Sequence, residues 1–277
     1  MIVGRQDMIR NELEVGTGAA IGMAVDQSGL RTGLRLWFEG LDERHGPVLE
    51  MKPFGMRGYR VTLGFGKFAG EVIRQIQAAG VEDVGLARAL VNSIDETISL
   101  DFSGQKRDSW SVSSGAFTIT ATTRGLTQDP DVAATAVTRD IVVPLMAAMA
   151  ELIGYDVIEE DETEQEAFEG AILVSTVRRR ERNPRNRLLC IRLHGEKCAC
   201  CKVEPRKVYG NAGGIIEVHH LEALSLLEAP RQYDPAVDLV PLCPNCHRVV
   251  HTRRPVPLPL EDVREMLAAT GRLAVPS

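Results

Sequence analysis

The chain has 277 residues, of which 44% are hydrophobic and 25% are charged, and its formal net charge is −6. This length is sufficient for two modest domains, each with its own hydrophobic core. The acidic balance argues against a protein that coats nucleic acid non-specifically, so any phosphate binding must be local. No signal peptide is evident, and Pro144 and Glu151 interrupt the most apolar stretch, so we expect a cytoplasmic protein without a membrane span.

The first part of the chain alternates patterns that are typical of strands and of helices. Segments rich in β-branched and aromatic residues between Gly and Pro predict strands at 35–38, 59–65, 98–102 and 117–122. Apolar residues at helical spacing predict helices over 68–79 and 84–94 and over 132–153, the last kinked or divided at Pro144. The connection 103–114 is expected to be an exposed loop that contains Trp110. We therefore predict an α+β domain over residues 1–155, whose family the sequence does not indicate.

A charge pattern separates this domain from the rest of the chain. Residues 156–169 are dominated by Glu and Asp, which predicts a solvated linker and places a second domain at 170–277. The densest basic run follows at 178–187, and guanidinium groups bind phosphate oxygens in a bidentate way, which favours a nucleic-acid backbone. A solvated helix face, or contact with the acidic linker, is the alternative. The candidate nucleic-acid-binding residues are Arg178, Arg179, Arg180, Arg182, Arg185, Arg187 and Arg248.

All six cysteines lie between Cys190 and Cys246, which indicates metal ligands in a reducing compartment rather than a disulfide framework. Two CxxC pairs stand out, because one tight knuckle can present two thiolates to a single tetrahedral ion. They predict a closed, structural Zn²⁺ site with the ligands Cys198, Cys201, Cys243 and Cys246. Cys190 is expected to lie in the core; Cys200 could compete as a ligand but is expected to be a bystander.

Histidines lie between and after the cysteine pairs. The β-branched run 215–220 predicts a strand that ends in His219 and His220, whose side chains point to opposite faces. Residues 238–242 predict a second short strand, and a helix that begins in the second knuckle carries His247 and His251 on one face. An imidazole cluster suits a metal ion with open coordination positions.

This ββα-metal arrangement resembles the HNH endonuclease family, and in particular its McrA-like branch, which carries a four-cysteine, treble-clef-like zinc site. The resemblance rests on Cys198-x-x-Cys201, on 217–220, and on 238–247 with His251; it extends upstream to 181–184 and does not reach the first domain.

The resemblance implies a role for each of the matching residues. His220 is implied to be the general base, His219 and His247 the ligands of a catalytic divalent ion, Mg²⁺ or Mn²⁺, and His251 an additional ligand. Asp238 stands where the family often has Asn and is implied to help hold the catalytic histidine. A carboxylate can still accept a hydrogen bond from an imidazole, and it would raise the basicity of the ring.

By the same resemblance, the chain is expected to be an endonuclease that acts on DNA. Because McrA-like enzymes carry a domain that reads modified DNA in front of the nuclease, a modification-dependent restriction or phage-defence enzyme is implied. A homodimer is expected, since a single HNH site cuts one strand.

Several points remain open in the sequence. An aromatic residue of the first domain could stack on a flipped base, although such residues more often lie in a core; the candidates are Trp37, Phe54, Tyr59, Phe65 and Trp110. The alternatives to a restriction enzyme are a nuclease gated by a ligand-sensing or oligomerising first domain, and a zinc-dependent DNA-binding protein without activity.

Overall fold

The computed structural model describes residues 2–154, 184–222, 233–253 and 256–270. The chain divides into two compact units, Met1–Val157 and Ile158–Ser277. The predicted acidic linker at 156–169 and four of the candidate phosphate-binding residues, Arg178, Arg179, Arg180 and Arg182, lie outside the described residues.

The first unit is built on a six-stranded antiparallel sheet with the strand order β1-β2-β3-β4-β6-β5. The strands are β1 Ile21–Asp26, β2 Gly33–Phe38, β3 Pro47–Pro53, β4 Tyr59–Phe65, β5 Ser99–Asp101 and β6 Ile119–Thr122. Side chains that alternate along the central strands are fully buried, as for Leu34, Leu36 and Phe38 in β2. One face of the sheet therefore forms the core, as the period of two requires.

Helices contribute the other side of this core. They are α1 Gln6–Thr17, α2 Asp42–His45, α3 Gly70–Gln77, α4 Val81–Asn92, α5 Pro130–Val137 and α6 Val143–Ile153. Residues 143–152 of α6 are all buried, and α1, α3 and α4 pack against this helix. The unit is a mixed α+β domain, which confirms the predicted class.

The irregularity expected at Pro144 takes the form of a π-helical turn, Thr138–Val142, which joins α5 to α6. Proline has no backbone N–H and its ring crowds the preceding turn, so a wider turn before it keeps the helix continuous. Among the described residues, Pro130–Ile153 is long and apolar enough to cross a membrane. Of its apolar window, 72% is buried inside the protein, as in a core helix.

Trp110 does not lie where the sequence predicted. Its side chain is only 2% exposed, and its ring stacks between Phe102 and Phe117, with centroid separations of 6.3 and 6.0 Å. Arg88 also fixes the loop by donating a hydrogen bond to the Trp110 carbonyl oxygen at 2.8 Å. The expectation that the loop exposes Trp110 is wrong, and this ring is not available to stack on a base.

The second unit contains short elements around a small core. They are α7 Pro184–His194, α8 Pro205–Tyr209, β7 Glu217–His220, β8 Leu239–Leu242, α9 Pro244–Val250 and α10 Leu260–Ala269. Strands β7 and β8 are antiparallel, with His219 opposite Val240 and His220 opposite Leu239. Leu242, Val250 and Val263 pack with the buried cysteines to form this core.

The start of α5 offers a test of the first unit. The Asp129 carboxylate accepts hydrogen bonds from the backbone N–H groups of Asp131 and Val132, at 2.8 and 3.3 Å. Asp129→Ala removes this cap and should lower the free energy of unfolding by about 1 kcal/mol, measured by chemical denaturation. Asp129→Asn should retain most of the stability, and an unchanged Asp129→Ala variant would contradict the assigned cap.

Candidate functional site

Four cysteines of the second unit converge on one point. The Sγ atoms of Cys198, Cys201, Cys243 and Cys246 all lie within 4.8 Å of one another, and Cys201 Sγ is 3.6 Å from Cys243 Sγ. A tetrahedral Zn²⁺ ion with Zn–S bonds of about 2.3 Å separates its sulfur ligands by about 3.8 Å. A disulfide bond would require about 2.05 Å. The donor set and its spacing fit a structural metal ion, with zinc as the ion that this chemistry favours.

Backbone hydrogen bonds hold the two knuckles in place. In the first knuckle, Lys202 N–H donates to the Cys198 carbonyl oxygen at 3.0 Å, and Lys202 adopts a φ of +61° that closes the turn. Ala199 N–H donates to the Pro241 carbonyl oxygen at 2.8 Å, which ties this knuckle to β8. In the second knuckle, Cys243 is the N-cap of α9 and Pro244 begins the helix.

A different set of backbone hydrogen bonds, made to the Cys198 thiol itself, favours a thiolate there. Burial acts to raise the pKa of this thiol, but backbone N–H groups of Cys243, Cys201 and Cys200 hold the pKa below its usual value. Burial raises the pKa of the Cys201 thiol to about 11. Thiolates at this spacing repel one another, so a bound dication is what would allow all four to ionise together.

The other two cysteines do not belong to this cluster. Cys190 and Cys200 are both fully buried. Burial raises the pKa of the Cys190 thiol to about 12 and that of the Cys200 thiol to about 11. Both therefore stay protonated at neutral pH and pack as small apolar side chains.

A second cluster consists of three histidines. Ring nitrogens of His219, His247 and His251 lie within 4.8 Å of one another, and the ring centroids are 4.8 to 5.4 Å apart. His219 lies on β7 and is only 4% exposed, His247 lies within α9, and His251 follows the helix directly. Three imidazoles that converge in this way could hold a divalent ion with coordination positions left open.

Glu217 is a further residue of this cluster, and its role was not predicted. Its carboxylate accepts a hydrogen bond from His247 Nδ1. A histidine that donates from Nδ1 presents the Nε2 lone pair on the other side of its ring, as metal-ligating histidines generally do. Only part of the signal was present in the sequence: residues 217 and 219 are two apart, so their side chains share one face of a strand, but no spacing links Glu217 to His247.

His220 lies on the other face of β7 from His219. Its side chain is half-buried, and its ring packs edge-on against Tyr233, with a centroid separation of 4.7 Å. Asp238 is close by in the strand pairing, since its carbonyl oxygen accepts from Leu221 N–H at 2.9 Å. The Asp238 carboxylate accepts from Asp234 N–H at 2.9 Å. That Asp238 also holds the His220 ring stays a prediction.

The described arginines of the basic run differ in exposure. Arg185 is only 4% exposed, and Arg187 donates a hydrogen bond to the Ile216 carbonyl oxygen at 2.7 Å, directly before β7. Burial lowers the pKa of the Arg187 guanidinium. These two side chains help to pack α7 within the unit. Arg248, next to His247 on α9, is exposed and therefore accessible to a phosphate.

The cysteine cluster predicts a specific loss on substitution. Cys243→Ser should release the bound zinc and unfold the second unit, because structural zinc contributes much of the folding free energy of such modules. Zinc content measured by atomic emission, together with far-ultraviolet circular dichroism, tests this. Cys200→Ala is the matched control and should retain zinc. A Cys243→Ser variant that is folded and free of zinc would contradict the structural role.

The carboxylate behind His247 predicts a different defect. Glu217→Gln should weaken Mn²⁺ binding at the histidine cluster by about 10- to 100-fold, because the ring loses its charged hydrogen-bond partner. Electron paramagnetic resonance of free Mn²⁺, with zinc already bound at the cysteines, measures this change. Glu265→Gln on α10 makes the same charge change and should bind Mn²⁺ as the unmodified protein does. Equal affinity in both variants would refute the role of Glu217.

No protein-family model, curated protein or solved structure matches this chain. The resemblance to HNH endonucleases therefore stays a prediction from the sequence of the second unit.

Proposed function

We propose that this protein is a metal-dependent endonuclease that hydrolyses phosphodiester bonds in DNA. The observation that carries the proposal is the histidine cluster: His219, His247 and His251 converge beside, and separately from, the cysteines. Four thiolates complete the ligand set of a structural zinc site. A module that only binds DNA would therefore have no use for three additional imidazoles and for a carboxylate that orients one of them.

The strand β7 supplies two chemically different histidines from adjacent positions. His219 faces the cluster, whereas His220 packs against Tyr233 and is half-buried. An imidazole has an ordinary pKa near neutrality, so a neutral ring can accept a proton from water at physiological pH. We assign this role to His220, in agreement with the position of the base in HNH enzymes.

The proposed reaction is an in-line displacement at phosphorus. His220 takes a proton from water as the water oxygen forms its bond to phosphorus, and the bond from phosphorus to the 3′ oxygen breaks. The leaving 3′ oxygen takes a proton from solvent, so the products are a 5′ phosphate and a 3′ hydroxyl. His219, His247 and His251 would hold a divalent ion, Mg²⁺ or Mn²⁺, which when bound stabilises the charge on the phosphate and on the leaving oxygen. Glu217 keeps the His247 ring in the orientation for this role.

The proposal includes the partner and the biological class. DNA is the proposed substrate, a homodimer is proposed for cutting both strands, and a modification-dependent restriction or defence role follows from the resemblance alone. The exposed Arg248 is proposed to contact a phosphate beside the histidine cluster.

Replacement of the proposed base tests the mechanism. His220→Ala should abolish cleavage of plasmid DNA in the presence of Mg²⁺ or Mn²⁺, because no group remains to take the proton from water. Zinc content and melting temperature should stay near those of the unmodified protein. Cleavage at an unchanged rate would refute the assignment, and parallel loss of zinc would show that His220 has a structural role instead.

The choice of substrate needs a separate experiment. One plasmid should be prepared unmodified, cytosine-methylated, hydroxymethylated, adenine-methylated and phosphorothioated, and each form should be digested with Mg²⁺ and with Mn²⁺. A modification-dependent enzyme should cut one or two of these forms preferentially. Equal cutting of all five would remove the modification-dependent role while leaving the nuclease proposal intact.

A further inference from the structure

One end of the sheet in the first unit collects three chain connections: residues 27–32 between β1 and β2, 54–58 between β3 and β4, and 123–127 after β6. They meet there because these strands are antiparallel neighbours. Leu126 N–H donates to the Arg57 carbonyl oxygen at 3.0 Å, and Arg31 Nη1 donates to the Gly55 carbonyl oxygen at 2.5 Å. The three connections therefore form one continuous surface, which we name the hairpin edge.

The two hairpin tips share a pattern of glycine, an apolar residue and arginine. Gly29-Leu30-Arg31 and Gly55-Met56-Arg57 occupy the tips, and both glycines have positive φ, +99° and +63°. The Leu30 and Met56 side chains are fully exposed, at 106% and 100%. Neither contributes to the core of the unit, so the fold does not explain why both tips carry a large apolar side chain.

The hairpin edge is also basic. Arg31, Arg57 and Arg124 of the three connections and Arg60 at the adjoining start of β4 are all exposed, and the connections contain no Asp or Glu. Among the described residues, none of these four guanidinium groups pairs with a carboxylate. The nearby Asp26 and Glu50 are both paired with Lys52, at 2.5 and 3.2 Å. The net charge of −6 makes this local excess of positive charge stand out from the rest of the chain.

Phe54 orders part of this charge. The Arg60 guanidinium lies 4.1 Å from the Phe54 ring centroid and that of Arg124 lies 5.8 Å from it, so one aromatic ring draws two cations together. The ring holds two neighbouring like charges that would otherwise separate. Such an arrangement is suited to a partner that carries closely spaced anionic groups.

We propose that the hairpin edge is a DNA-binding surface, a proposal that rests on the nuclease function proposed above. The four arginines bind backbone phosphates, and Leu30 and Met56 enter the major groove, where apolar side chains can contact thymine methyl groups. The hairpins are two strand spacings apart, about 10 Å, which is close to the width of a B-DNA major groove, about 12 Å. Because the surface has four cations and only two apolar side chains, it favours a polyanion over a lipid surface. Binding to lipid vesicles is the competing outcome of the test.

The test measures binding of the full chain to a fluorescent 24-base-pair duplex, by anisotropy and without added divalent metal, so that cleavage does not contribute. The Arg31→Gln/Arg57→Gln variant should bind at least tenfold more weakly in 50 mM salt. The slope of log affinity against log salt concentration should fall by about 2, because each phosphate contact contributes about 0.9. Leu30→Ser/Met56→Ser should weaken binding while leaving the slope unchanged, since no charge is removed.

Matched controls exclude a general charge effect. Arg44→Gln/Lys67→Gln removes two exposed cations at the opposite end of the sheet, and Val81→Ser removes an exposed apolar residue from the start of α4. Both should bind as the unmodified protein does. Circular dichroism of each variant confirms that the first unit is folded.

Three results would overturn the proposal: no duplex binding by the unmodified chain, equal weakening by the control variants, or binding only to phosphatidylserine vesicles. Binding and cleavage by the unmodified chain separate the two proposals. If it binds the duplex through the hairpin edge but cuts no DNA in Mg²⁺ or Mn²⁺, the nuclease proposal fails while the hairpin edge remains a DNA-binding surface.

Discussion

The second unit depends on bringing four sulfur atoms from two distant knuckles to one point. Cys201 and Cys243 are 42 residues apart, yet their sulfurs lie 3.6 Å from each other. Apparent binding free energies of structural zinc are about 10–16 kcal/mol, whereas the total stability of a domain is about 5–15 kcal/mol. A zinc ion held by the four thiolates would therefore contribute much of the stability of a core as small as that of Leu242, Val250 and their neighbours.

The positions of the histidines follow from this anchor. Cys243 is the N-cap of α9, so fixing its sulfur also fixes His247 one helical turn later. The hydrogen bond from Ala199 to Pro241 joins the first knuckle to β8, and the register of β8 with β7 then places His219. Thiolates and imidazoles are thus sorted into two neighbouring clusters. Soft thiolates suit zinc, and an open imidazole site suits an ion that exchanges ligands with water.

Much of this site could be predicted from the sequence because metal ligands are recognisable by spacing. Local geometry relates each spacing to a metal site: this holds for the CxxC pairs, for the adjacent histidines and for the separation of four between His247 and His251. The structure brings the expected cysteines and histidines together. Glu217 was missed because a carboxylate has no fixed spacing to a histidine on another element. Its contact with His247 exists only after β7 packs against α9.

The first unit was harder to predict, for reasons visible in particular segments. Strand β3 begins and ends in proline, which weakens a strand pattern, and β1 contains Gly22 and Ala24, which have low strand propensity. Both segments become strands because they pair with neighbours: β1 pairs with β2, and β3 pairs with β2 and β4. Trp110 is buried because Phe102 and Phe117, from either side of its loop, close over the ring, and no local pattern encodes that approach.

X-ray absorption at the zinc edge of the purified protein tests most directly whether zinc binds only to the four thiolates. One equivalent of zinc should show four sulfur neighbours at about 2.3 Å and no nitrogen neighbours. Manganese added afterwards should show only nitrogen and oxygen neighbours at its own edge. Zinc with mixed sulfur and imidazole ligands, or manganese that displaces zinc from sulfur, would contradict the separation of the thiolate site from the imidazole site.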